Sequence, residues 1–182
     1  MLRIRTLRPA LSMAGLTWQD EAAVILLLND ALRALAERLR WEYGAPQDGD
    51  YGRVRGRYGD YILERDADDN LVFRGLSTFM EQVGNHLLAI YAVAALPLAF
   101  AAAGWQVELH PYNGREPTVR YQRAIGRAWI EDPEQFIAVT YDGMMILDTT
   151  ALGENDAPLL MALKEELAKL GLRAEKWRGQ TG

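Results

Sequence analysis

Apolar and polar positions alternate along this chain with two different periods, and the switches between them mark out the elements. "LRIRTL", at residues 2–7, alternates with period two and predicts a short leading strand. From Thr17 the period lengthens. Leu28, Leu32, Leu35 and Leu39 recur at steps of four, three and four, while Asp30, Arg33, Glu37 and Arg40 lie away from that stripe. Thr17 followed by Asp20 is a variant capping box, and Gly44 is a natural stop, so a helix is expected from Thr17 to about Tyr43.

A loop over residues 45–52 then leads into strand-forming sequence. Tyr61–Arg65 and Leu71–Phe73 are rich in β-formers and flank "DADDN", a turn sequence. Thr78, with Glu81 three residues on, predicts the start of a second helix ending at Gly104, kinked or split at Pro97. "WQVELH" alternates as a half-buried strand, "NGREP" is a turn and "TVRYQR" the returning strand. "FIAVTYDGMMILDT" predicts a hairpin about Asp142-Gly143. A third helix follows, capped by Asn155 or Asp156, with Leu160, Leu163, Leu167 and Leu170 inward and Gly171 at its end. "LRAEKW" suggests a last strand.

Hairpin, helix, glycine and strand thus occur twice. The expected fold is α+β, with antiparallel sheet built from two ββαβ-like units, helices packed on one face and a β–α element in front. One domain over residues 1–182 is expected. Its sub-units are 1–44, 50–123 and 135–178, with 179–182 as a tail.

Composition narrows the chemistry. The 182 residues carry a net charge of −5 and no cysteine. That excludes thiolate nucleophiles, disulfides and cysteine-based zinc or iron–sulfur sites, and gives no global attraction to polyanions. Residues 87–103 hold no charge, but the run is short of a bilayer span and contains Pro97, so a buried helix is expected and no membrane. The leading strand lacks the apolar core of a signal peptide, which points to the cytoplasm.

Candidate sites are sparse. His86 and His110 have no metal-ligand spacing. A pocket near either, at a sheet–helix boundary, is the only enzymatic or ligand-binding expectation. "DADDN" begins like a calcium loop, but Leu71 and Ser77 stand where glycine and glutamate are required. No metal and no cofactor is expected. "DGDYGRVRGRYGDYILERD", residues 48–66, interleaves arginine with aromatics. On an extended chain Arg53, Arg55 and Arg57 share a face, with Tyr58 on the other. A second basic stretch holds Arg115, Arg120, Arg123 and Arg127 with Tyr121 beside them. Were the two neighbours, Arg53, Arg55, Arg57, Tyr58, Arg120, Tyr121 and Arg123 would form a face for single-stranded nucleic acid. Asp48, Asp50, Asp60 and Glu64 oppose this by pairing with the arginines across strands.

Two segments, "YGDYILERDADDN" and "FMEQVGNHLLAIYAVAALPLAFAAAGWQVELHPYNGREPTVRYQR", resemble a small cyanobacterial and plastid family of uncharacterised proteins. It is the hypothetical chloroplast reading-frame thirty-five type. The shared shape is a strand pair, a helix with Tyr91-Ala92, the run Ala101 to Trp105, an alternating strand and a basic returning strand. The family's glutamine before the Tyr-Ala pair has no clean counterpart. "IAVTYDGMMILDTTALGENDAPLLMALKEELAKLG" is similar to a short companion family of unknown function. The resemblance carries no activity or catalytic residue. It implies a partner protein, an AAA-type ATPase encoded near some members. With five tryptophans as anchors, the first expectation is a non-enzymatic protein-interaction module: an adaptor, accessory subunit or homodimer. Nucleic-acid binding through the two arginine stretches is the alternative.

Overall fold

Thr17 closes the first turn of the first helix as its spacing predicts: its hydroxyl accepts from the Asp20 amide at 3.2 Å. This is a computed structural model that describes residues 4–7, 11–57, 59–110, 123–141, 145–152 and 157–172. Helix α1, Trp18–Leu39, buries Val24, Leu28, Leu32 and Leu35 on one stripe. It stops earlier than expected. Arg40 takes the left-handed conformation, and the Trp41 amide donates back to the Ala36 carbonyl. The residues then run straight into a strand, Glu42–Gly44, where continued helix was expected.

Before α1 stands β1, Ile4–Leu7, and the strand after it is therefore β2. Next come β3 (Asp50–Gly56), β4 (Gly59–Arg65) and β5 (Leu71–Leu76). These five form one antiparallel sheet in the order β1-β5-β4-β3-β2. Its inner face carries Val54, Tyr61, Leu63, Leu71 and Phe73, all buried, and α1 lies across β2 and β3. Tyr43 of β2 donates its hydroxyl to the Asn29 side chain of α1 at 2.8 Å, which holds the short edge strand to the helix.

The second helix, α2, spans Met80–Ala102. It begins two residues after the expected Thr78 cap. Phe79 holds the cap position in the left-handed region and no side chain caps it. The Thr78 carbonyl instead accepts from the Tyr61 hydroxyl at 2.5 Å. The helix runs through Pro97 unbroken. It packs against α1, β1 and β5 on one side of the molecule, and against β6 (Gln106–Leu109), β9 (Met145–Asp148) and α3 (Ala157–Lys169) on the other. Among the described helices only α2 is long and apolar enough to cross a membrane, and most of it is buried inside the fold.

The remaining strands, β7 (Arg123–Trp129) and β8 (Phe136–Tyr141), complete a second antiparallel sheet, β6-β7-β8-β9. The fold is α+β with antiparallel sheets, as the alternation of periods implied. β6 pairs with the strand that returns after it, β7, and so joins β8 and β9 in the second sheet. β8 and β9 pair in register Tyr141↔Met145, while the turn residues Asp142 and Gly143, the caps Asn155 and Asp156 and the segment 173–178 lie outside the described residues. A seam joins both halves. The Ser12 amide donates to the Gly171 carbonyl and the Met13 amide to that of Asp69, so residues 11–13 stitch the end of α3 to the β4–β5 turn.

Candidate interaction surfaces

The outer face of the first sheet answers the arginine question. Antiparallel register sets Arg55 opposite Asp60. The guanidinium grips the carboxylate twice, Nε–Oδ1 at 2.7 Å and Nη2–Oδ2 at 3.3 Å. Arg53 meets Asp50 at 2.5 Å and lies 3.9 Å from Asp60. On the next strand pair Arg74 meets Glu64 at 3.0 Å. The acids that flank the basic stretch in sequence therefore flank it in space, and the face is a ladder of alternating charge. Arg57 is exposed just after β3.

The Arg55 hydrogen bond holds the Asp60 carboxyl below the ordinary carboxylate range, and nearby Arg53 adds to this. A depressed folded-state value contributes stability that is present above about pH 4 and is lost as pH falls through the lowered value. Asp60→Asn should therefore be less stable than the parent at neutral pH, with the difference shrinking as pH falls from about 4 toward 2. Urea midpoints measured against pH check this; a gap independent of pH would show that the pair does not contribute through charge.

The described part of the second basic stretch lies in the other sheet. β3 belongs to the five-stranded sheet and β7 to the four-stranded one, so Arg53 and Arg55 share no sheet with Arg123. Arg115, Arg120, Tyr121 and Tyr58 lie outside the described residues. Arg127 of β7 is held within its own sheet: it stands 4.0 Å from Glu108, with its guanidinium 5.4 Å above the Trp129 ring and 5.9 Å from that of Phe136.

The two histidines differ in exposure. His86 is fully enclosed in α2, and an imidazole sealed from solvent offers no face to a substrate in this conformation. His110 is exposed beyond β6. Among the described residues no group of three or more histidines or acids could hold a metal ion.

Comparison of the chain with protein-family models, with curated proteins and with solved structures finds no match in any of the three. Function therefore has to be argued from this chain's own surface.

That surface has one feature the leucine stripe of α1 did not announce. Trp18 is 78% exposed and Leu26 is 69% exposed. With exposed Ala22 they stand at i, i+4 and i+8, and Gln19 and Ala23 beside them are uncharged and exposed. Only further along does the outward face turn charged, at Asp30, Arg33 and Glu37. The signal was present in the sequence as apolar residues on the wrong side of the wheel from Leu28, Leu32 and Leu35.

Proposed function

We propose that this chain is a protein-interaction module, working by contact as an adaptor, accessory subunit or self-associating protein in the cytoplasm. The observation that carries the reading is the uncharged outward half of α1, with Trp18 and Leu26 both more than two-thirds exposed. Isolated exposed leucines are ordinary, but a tryptophan and a leucine on one helical stripe form an apolar patch that gains by being covered. Tryptophan is also the residue type that most often dominates an interface, because its large rigid ring loses little entropy on burial. Such a stripe docks into an apolar groove as an amphipathic helix does. The family resemblance supplies one candidate for the other side, an AAA-type ATPase.

The test uses the full chain. Light scattering and pull-down should find the parent either self-associated or holding a partner. The double variant Trp18→Ser/Leu26→Lys should lose that association at least tenfold, equivalent to about 1.4 kcal/mol. Both sites are exposed, so its melting should stay within about 0.5 kcal/mol of the parent. A parent that is monomeric at high concentration and retains no partner, or a double variant that associates normally, overturns the reading.

A further inference from the structure

The uncharged half of α1 has the outline of a helix crossing. Trp18, Gln19, Ala22, Ala23 and Leu26 are all exposed. Their spacing of i, i+1, i+4, i+5 and i+8 is that of two neighbouring rows on a helix surface. The row Trp18–Ala22–Leu26 is large at both ends and small in the middle. The row Gln19–Ala23 beside it is lower. A shallow groove runs between them, on the side of α1 away from the buried Val24, Leu28 and Leu35.

Rows of this kind are the ones helices most often pack with. A row of one helix enters the groove of the other, and the axes cross at about −50°. A second copy of α1, turned end for end, meets this condition on both sides at once. The Trp18–Ala22–Leu26 row of each copy lies in the groove of the other, and the two rows run side by side in opposite directions. Ala22 then lies next to Ala22 of the other copy, and Trp18 of each next to Leu26 of the other. The alanines at the crossing let the axes approach to the short end of the usual range of about 8–10 Å. A row that reads large, small, large at equal steps is self-complementary about a two-fold axis, as an isologous contact requires.

Charge favours the same occupant. Each chain carries a net charge of −5, so two copies repel unless they meet where charge is absent. None of the five residues is charged, and the crossing buries no unpaired charge in either copy. Asp20 and Glu21, the nearest acids, are half-buried, and Glu21 meets Arg65 at 2.8 Å. A strongly charged partner would find nothing to pair with in this patch. The two footprints together hide on the order of 800 Å², below the roughly 1,200–2,000 Å² of a stable complex. The contact is therefore reversible, with Kd in the range of about 10–100 μM.

We propose that α1 pairs with α1 of a second copy, antiparallel about a two-fold axis beside Ala22, and makes this chain a reversible homodimer. This rests on the interaction reading above and names its partner. The cysteine-free sequence gives a direct test, because one introduced thiol has only its own copy to react with. Under mild oxidation Ala22→Cys is expected to form a covalent dimer, since equivalent positions beside the axis come within disulfide range. Glu37→Cys, exposed on the same side at the far end of α1, should stay monomeric because the crossing helices have diverged there. Light scattering over about 1–500 μM should show the parent mass moving from one chain toward two, and Ala22→Glu should raise Kd at least tenfold with melting unchanged. A parent that is monomeric throughout, Ala22→Cys cross-linking no better than Glu37→Cys, or Ala22→Glu dimerising like the parent overturns the pairing. If pull-down then still recovers a different protein that Trp18→Ser/Leu26→Lys loses, the interaction reading stands and only the second copy falls.

Discussion

Gly126→Ala is expected to destabilise this protein by about 3 kcal/mol and to lower its melting temperature by roughly 6–12 °C. Gly126 lies on β7 opposite Leu109 of β6 and Val139 of β8, at the irregularity between Ala124 and Gly126. A Cβ built there would stand 2.2 Å from the Glu108 carbonyl oxygen and 2.7 Å from the Leu109 Cα. Both obstacles are main chain, so no change of rotamer relieves them. The strands must separate, and among the described residues β6 lies at the edge, paired only with β7. Gly104→Ala is the control. Gly104 also has a positive φ, of 87°, but nothing lies within 4 Å of its added Cβ. That variant loses only the left-handed preference, about 1 kcal/mol. Thermal melts of the two variants, with amide exchange at Gln106–Leu109, separate collision from conformational strain. Equal destabilisation in both would mean that β7 can move away from β6 at little cost.

What could be read from the residues follows from which forces are local. Thr17 and the Leu28–Leu32–Leu35 stripe announce α1 because capping and burial both act within a few turns. The alternation in β4 and the inward leucines of α3 are legible for the same reason. β2 was hidden. Tyr43 continues an apolar rhythm, and only the backbone return of Trp41 to Ala36 shows that the helix has already ended. Phe79 as a left-handed cap could not be anticipated, since an aromatic residue is among the last expected there. The destination of β6 was a question of reach. Twenty-three helical residues extend about 35 Å, whereas a six-residue strand such as β5 spans about 20 Å, so α2 overshoots the first sheet and delivers β6 to a second one. Pro97 fails to break the helix where its neighbour Leu98 is exposed, so the carbonyl it leaves without a partner can reach water. The charge ladder was half legible: Asp50 and Asp60 were named against the arginines, but Glu64 turned out to serve Arg74. The exposed Trp18–Leu26 stripe escaped because the inward leucines already accounted for the helix.

Tyr91 tests whether the two sheets melt together. Its ring is wholly buried in α2, and its hydroxyl donates to the Leu170 carbonyl at 2.5 Å. That carbonyl belongs to the group of helix-end acceptors that lack an intrahelical partner, here at the close of α3 beside Gly171. Tyr91→Phe keeps the ring and removes the donor, leaving a half-buried acceptor without it at a cost of about 1–3 kcal/mol. A loss near about 2 kcal/mol lowers the melting temperature by roughly 4–8 °C. Burial raises the Tyr91 phenol above its ordinary value. The stability linked to the neutral phenol is therefore complete below about pH 10 and falls as pH rises above it, because the unfolded chain ionises first. The gap between parent and Tyr91→Phe should narrow across that alkaline range. The seam at residues 11–13 depends on Gly171, one residue past this bond, so amide exchange at Ser12 and Leu172 should quicken in the variant. If α2 is the bolt through both sheets, melting stays a single transition at a lower temperature, and a split into two transitions would show that each sheet folds on its own.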